Sequence, residues 1–347
     1  MSKLKVAIIC GGKSSEHEIS CVSANGILNA LDRTQFEPVL IGITKNGRWL
    51  LLPSDTNFAI INGALPVVPE SGVEINVTSQ GLFSGGKNLE IDVAFPILHG
   101  PYGEDGTIQG LLEMIGIKYV GSGVLASAVC MDKSYAKPIF ASAGLNVAPG
   151  IVVTSKDFEL PSTLKLPLFV KPARSGSSRG TTKVKELSQL AAAVEHALDF
   201  DTKVIIEQAI VGKEIECAVL QADDKITVSK VGQILISDKF EFYDFQAKYL
   251  DDSMQLILPA DLPEEASRQI QQAALIAFEA AGCEGLARVD FFYSSEGKVI
   301  INEINTMPGF TPMSVYPKLI ENSGINYQLL ITKLIQTAKN RSSSITR

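Results

Sequence analysis

The stretch Ala287-Arg288-Val289-Asp290-Phe291-Phe292 decides the reading of this chain, together with Ile301-Asn302-Glu303-Ile304-Asn305-Thr306-Met307-Pro308-Gly309. Both segments alternate apolar and polar residues, as half-buried strands do. The intervening Ser294-Ser295-Glu296-Gly297 is a good turn, so the two read as an antiparallel hairpin. Side chains two apart on a strand share a face, which groups Arg288 with Asp290 and Glu303 with Asn305. Pairing Tyr293 with Lys298 puts Arg288 opposite Glu303 and projects all four polar groups from one face. The other face, with Val289, Phe291, Ile300 and Ile304, suits a core. A slip of one residue would split the polar set; a slip of two would not. Two carboxylates and an amide oxygen suit a hard divalent cation, since Mg²⁺ takes one or two carboxylates plus water and phosphate. The alternative is a solvated hairpin whose charges form salt bridges.

Composition narrows the rest. A chain of 347 residues, 46% hydrophobic, is too long for one ordinary core and fits two or three domains. Its 31 basic and 38 acidic residues are well mixed, without the basic face of a nucleic-acid binder. A membrane span needs roughly 20 consecutive apolar residues, and the early run 6–10 is far shorter. Neither a membrane partner nor a secretory leader is expected. The five scattered cysteines lack zinc spacing and read as reduced packing residues of a cytoplasmic protein. Three histidines exclude a histidine-rich metal site.

Along the chain, residues 1–121 alternate strand and helix signals, with strands expected at 5–10, 39–43 and 93–97. Helices are expected from near 15 and over 108–115. This predicts an α/β unit with a mainly parallel sheet. The weakly periodic stretch 46–88 is treated as an insertion without a role. A small α+β module follows at 122–206, with helix over 126–143, strand at 168–171, helix over 187–198 and strand at 203–207. Residues 207–347 hold longer strands, a loop at 237–250, a helix over 263–281, the opening hairpin and a helix over 326–338.

Five further constellations carry possible chemistry. Phe169-Val170-Lys171-Pro172 delivers a lysine into a Ser/Gly-rich loop ending Gly176-Ser177-Ser178-Arg179-Gly180, able to cradle phosphate or equally to be a surface turn. In Glu207-Gln208-Ala209-Ile210, backbone groups at 208–210 could pair with a base edge while Glu214 accepts from ribose hydroxyls; an ordinary solvated strand end is the alternative. Lys133, in Met131-Asp132-Lys133, matters only as a second phosphate cation. The aromatic-rich run 240–249 reads either as a water-excluding lid or as a self-packed loop. Gly11-Gly12-Lys13-Ser14-Ser15-Glu16-His17-Glu18 turns into a helix start whose acids suit an amine ligand, or simply complement the helix dipole.

Taken in this order, these segments resemble the D-alanine–D-alanine ligases of the ATP-grasp superfamily over nearly the whole chain, 46–88 excepted. The resemblance implies an α/β and α+β protein of three-domain ATP-grasp architecture. An N-terminal parallel α/β substrate domain would span 1–121 and a small central ATP-grasp domain 122–206. The C-terminal ATP-grasp domain would span 207–347, with lid loop 237–250 and the metal site. It implies ATP between the last two domains, with Lys133 and Lys171 on its phosphates. Glu207, Gln208, Ala209, Ile210, Glu214, Phe292 and Asn302 would surround the nucleoside. Asp290, Glu303 and Asn305 would hold two Mg²⁺ (or Mn²⁺) ions.

By the same resemblance, Glu16 would take the first D-alanine's ammonium in a triad with Ser177 and Tyr249, and Lys248 would steady the transferring phosphoryl group. Arg288 and the Gly309 backbone N–H would face developing negative charge, and Ser314, with Val315, the second substrate's carboxylate. His99 would support the site from behind it. The family also suggests a homodimer. D-lactate is the competing second substrate, and the lid residue Tyr249 favours an amine. The alternative of another class is a nucleotide-binding regulator without catalysis, against which the intact set Arg288, Asp290, Glu303 and Asn305 argues. Arg179 departs from the small apolar residue expected in its loop.

Overall fold

The run Val6-Ala7-Ile8-Ile9 is fully buried, as a strand covered on both sides must be. It lies in β1 (Leu4–Gly11), at the heart of the first of three sheets among the described residues. The computed structural model of the chain describes residues 2–236 and 254–341. Next come α1 (His17–Ala30), β2 (Phe36–Ile43), β3 (Trp49–Leu52), β4 (Val73–Thr78), β5 (Gly81–Ser84), β6 (Lys87–Asn88), β7 (Val93–Pro96), α2 (Thr107–Met114) and β8 (Lys118–Tyr119). The sheet order is β6-β5-β4-β3-β2-β1-β7-β8. Strands β2, β1, β7 and β8 run parallel, as the βαβ pattern requires. The stretch 46–88, expected to be an insertion without a role, instead forms β3 to β6 and extends this sheet by antiparallel pairing. Strands β4 and β6 are largely exposed and β3 and β5 are only four residues each, so the stretch shows little apolar alternation.

The helix expected at 126–143 is two, α3 (Val124–Met131) and α4 (Lys133–Ser142), broken at Asp132, whose carboxylate caps α4 through the Ser134 N–H. Then follow β9 (Gly150–Val153), β10 (Leu168–Pro172), β11 (Thr182–Val184), α5 (Leu190–Leu198) and β12 (Val204–Gln208), giving the antiparallel sheet β11-β10-β12-β9. A third sheet is built from β13 (Gly212–Ala222), β14 (Lys225–Val228), β15 (Gly232–Ile236), β16 (Met254–Ile257), β17 (Leu286–Ser294) and β18 (Val299–Asn305). Helices α6 (Glu264–Ala280), α7 (Val315–Asn322) and α8 (Tyr327–Asn340) complete the described elements. Although α3 and α4 precede the middle sheet, their buried Ala126, Cys130, Ala136 and Phe140 join the core under β13 and β17. The other face of β13 shares a core with β1, α7 and α8. Phe310 packs edge-on to Phe95 and stacked on Tyr316, anchoring the loop after β18.

The hairpin forms as expected in kind but not in register. Tyr293 faces Val299, Arg288 faces Asn305, and Asp290 faces Glu303. The pairing shifts between Asp290 and Phe291, leaving Asn302 as an extra residue on β18. A bulge of this kind leaves two residues opposite one and locally breaks the alternation. Phe291 consequently pairs with Ile301 and Phe292 with Ile300. Ile301 thus takes the core place expected for Ile300, and Ile300 joins the face of Phe292.

Candidate active site

The hairpin bulge sets the chemistry of the face it presents. Asn302 and Glu303, consecutive in sequence, both line one chamber of about 130 Å³ between the middle and third sheets. Lys171, Glu207, Glu214, Asp290 and Phe292 line it too. A second chamber of about 490 Å³ lies between the first and third sheets, lined by Glu16, His99, Glu104, Arg288, Asn305, Gly309 and Ser314. Lys133, Ser175, Gly176, Ser177 and Glu303 line both, so the chambers meet at the Ser/Gly loop.

Lys133 and Glu303 stand at the junction, Lys171 and Glu207 line the smaller chamber beside it, and Lys137 stands behind Glu207. Lys133 Nζ stands 2.9 Å from Glu303 Oε2 and donates to the Ser175 carbonyl at 3.2 Å. Burial works against the Lys133 ammonium, but Glu303 outweighs it and holds the pKa above the ordinary lysine value. Lys171 Nζ pairs with Glu207 Oε1 and donates to Asn302 Oδ1 at 3.4 Å. Burial, aided by repulsion from Lys137 and Lys133, draws Lys171 below its usual range despite Glu207. Glu207 is itself buried, which alone would raise it; Lys171 and Lys137 instead bring it down to about 2. Lys137, 2.8 Å from Glu207 Oε2, is a group that sequence reasoning missed. It lies four residues after Lys133, one turn along α4, a spacing visible in the sequence.

Arg288 makes a bidentate pair with Asp290, Nε to Oδ1 and Nη2 to Oδ2, both at 2.7 Å. Its Nε also lies 2.9 Å from Glu216 Oε2. Glu216, buried on β13 directly across from Asp290, is a second missed group. The alternation Glu214-Ile215-Glu216 is the available signal, because it puts both acids on one face. Asn305 Nδ2 donates to Asp290 Oδ2 at 3.0 Å. Arg288 therefore pairs with Asp290 and Glu216, and Lys133 pairs with Glu303.

Across the chamber, Ser177 Oγ donates to Glu16 Oε1 at 2.6 Å, joining positions 161 apart in sequence. Both Ser177 (φ 51°) and Ser178 (φ 54°) occupy the left-handed region, where non-glycine residues store about 1–3 kcal/mol each. Gly100 (φ 72°) leaves the room Glu16 needs, since a Cβ there would fall 2.8 Å from Glu16 Oε2. His99 Nδ1 donates to the Met307 carbonyl at 3.1 Å and lies 3.5 Å from Glu104. Burial pulls His99 down, but Glu104 keeps its pKa above the usual value; burial raises Glu104 in spite of His99. Glu104 is a third group without an expected role, although its glycine-rich loop is plain in the sequence.

The Ser314 hydroxyl accepts from the Thr311 N–H at 3.0 Å at the N-terminus of α7, where Gly309 also approaches it. That helix start faces the second chamber through Ser314 and Val315 and suits an anion. One nucleoside expectation fails in part. Gln208 N–H donates to the Pro149 carbonyl and Ala209 N–H to that of Pro167, so neither donor is left for a base. Gln208 and Ile210 line the chamber and Ala209 does not. Arg179 is exposed, its guanidinium 5.9 Å from the Phe200 ring centroid, and does not line either chamber. Lys248 and Tyr249, with the lid loop 237–250, lie outside the described residues.

Residues 5–122 match the family description "D-ala D-ala ligase N-terminus" and residues 139–336 match "D-ala D-ala ligase C-terminus". The chain belongs to the D-alanine–D-alanine ligase family. It is 48% identical to the D-alanine–D-alanine ligase of Mycolicibacterium smegmatis, covering 99% of this chain and 97% of that one. Against the ligase of Pseudarthrobacter chlorophenolicus identity is 47%, covering 99% and 96%. Among solved structures, the VanG D-Ala:D-Ser ligase from Enterococcus faecalis superposes with a TM-score of 0.84 at 36% identity, covering 97% of this chain and all of that one. The D-alanine–D-alanine ligase from Coxiella burnetii gives 0.83 at 34%, covering 98% and 95%. This ligase-family chain therefore has the ATP-grasp fold expected of it, and the family uses ATP and D-alanine. No helix among the described residues is long and apolar enough to cross a membrane.

Proposed function

We propose that this protein joins two D-alanines into D-alanyl-D-alanine, a peptidoglycan precursor, at the expense of ATP. The observation that carries the reading is the meeting of the two chambers at Lys133, Ser175–Ser177 and Glu303. A nucleotide in the smaller chamber would present its terminal phosphate there to a substrate carboxylate in the larger. Lys133 and Lys171 supply charge to the phosphates, and Glu16, held by Ser177, accepts the first D-alanine's ammonium. The carboxylate oxygen attacks the γ-phosphorus, ADP leaves, and a D-alanyl phosphate results. The second D-alanine's amine then attacks the acyl carbon, loses a proton, and phosphate departs. Arg288 and the Gly309 N–H face the charge that develops on the acyl oxygen. The α7 N-terminus near Ser314 receives the second carboxylate.

Asp290 and Glu303, directly opposed across the hairpin, with Asn305 on the same face, are all-oxygen donors that fit Mg²⁺ or Mn²⁺. Such ions neutralise phosphate charge during phosphoryl transfer. Among the described residues no three His, Cys, Asp or Glu groups form a metal cluster, so the Asn305 amide and substrate phosphate would complete the shell. We further assign three domains with boundaries near 121 and 206, helices α3 and α4 packing on the third sheet, a cytoplasmic location and a homodimer.

The purified chain with ATP, Mg²⁺ and D-alanine should release ADP and a product with the mass of the D-alanine dipeptide. L-alanine should give none, and D-lactate or D-serine little. ADP release without dipeptide would refute the reading.

A further inference from the structure

The strap 58–68, within the stretch that its sequence left without a role, overhangs the substrate chamber. Both of its feet are fixed to α1. Phe58 N–H donates to Asn25 Oδ1 at 3.2 Å, and Val68 N–H to His17 Nε2 at 3.0 Å. The other His17 nitrogen donates to the Gly12 carbonyl at 2.7 Å, which orients the ring. Phe58 and Val68 are buried, and Val68 seats on Gly42, where a Cβ would lie 2.6 Å from it. Between the feet, Ile61 and Ala64 exchange backbone hydrogen bonds around Asn62 and Gly63, both at positive φ. The strap is thus a pinned hairpin, yet it holds Ile60 at 52% exposure and Ile61 at 63%.

Ile60 and Leu65 line the substrate chamber, and so do Ile19 and Val22, which follow Glu16 at three-residue steps along α1. In the ligase reading, an amino acid whose ammonium meets Glu16 has Ile19, Val22, Ile60 and Leu65 to pack on, whereas the second substrate's carboxylate is assigned to the α7 N-terminus at Ser314.

We propose that the strap is a selectivity element for the first substrate: Ile60 and Leu65 close the wall begun by Ile19 and Val22 and restrict the admitted side chain to about the size of a methyl group. This rests on the ligase reading and adds which residues set its substrate range. The test offers the full chain equal D-alanine and D-2-aminobutyrate with ATP and Mg²⁺, and reads by fragment mass which residue occupies each position of the dipeptide. In Ile60→Ala, Leu65→Ala and the double variant, D-2-aminobutyrate at the N-terminal position should rise about 10-fold or more relative to D-alanine, the discrimination one methylene commonly carries. Its share at the C-terminal position should stay as in wild type. Ile61→Ala, on the same strap but not lining the chamber, should leave both ratios unchanged. An unchanged N-terminal ratio, an increase confined to the C-terminal position, or an equal effect of Ile61→Ala would overturn the proposal. A wild type making no dipeptide from D-alanine alone would instead sink the ligase reading beneath it.

Discussion

Glu207→Gln removes one charge and almost no volume from the wall of the smaller chamber. The wild-type carboxylate is 4% exposed, with Lys171 on one oxygen and Lys137 2.8 Å from the other. Its pKa is drawn from 4.5 to about 2. At ~1.4 kcal/mol per tenfold, that gap corresponds to about 3 kcal/mol of preference for the ionised form. The figure matches the ~3–5 kcal/mol of destabilisation that follows removal of one partner of a buried ion pair. The variant should melt lower at pH 7 by about 6 °C, taking the ~2 °C per kcal/mol of larger domains.

Acid supplies an internal check. The folded pKa is depressed, so this stability is present above pH 4.5 and is lost as pH falls toward about 2. Wild type and variant should therefore converge in a pH series of thermal melts as pH drops through that window. ATP with Mg²⁺ should raise the variant's midpoint more than the wild type's, because phosphate oxygens give the uncovered Lys171, which lines the smaller chamber, a new anion. A variant melting within 1 °C of wild type at pH 7 (about the error of such a scan) would refute the claim that Glu207 neutralises the lysine pair.

Two further outcomes are expected. Asp290→Asn and Glu303→Gln should each abolish dipeptide formation while the circular dichroism spectrum stays that of the wild type, and wild-type turnover in either would end the metal assignment. Gly100→Ala places a methyl 2.8 Å from Glu16 Oε2 at a left-handed position; steady-state kinetics should show a KM for D-alanine raised about 10-fold or more, equivalent to ~1.4 kcal/mol of weakened binding when the carboxylate is pushed off the ammonium, and unaltered kinetics would mean that Glu16 does not hold the ammonium.

The hairpin shows how far local pattern reaches. Period-two alternation identifies β17 and β18, their turn, and the shared face of Arg288, Asp290, Glu303 and Asn305, because neighbouring side chains on a strand must diverge. It cannot reveal the extra residue at Asn302, since both registers keep the acids on one side. That bulge moves Arg288 opposite Asn305 and exchanges Ile300 for Ile301 in the core. The helix break at Asp132 is half legible: Asp is a favoured N-cap and marks the start of α4 at Lys133, but the apolar run across 126–143 reads as one helix.

What the sequence determined by itself is the order of strands, helices and glycine loops, and the residue types able to handle phosphate, metal and amine. These follow from short-range sterics and spacing, which each segment carries alone. Tertiary structure alone decided which charges meet. Lys137 reaches Glu207 from α4, Glu216 reaches Arg288 from β13, and Ser177 reaches Glu16 from 161 positions away. It also turned the unread stretch 46–88 into a sheet edge and an overhanging strap. Coulomb energy and hydrogen bonding depend on distance in space, and only the packing of the three sheets sets those distances.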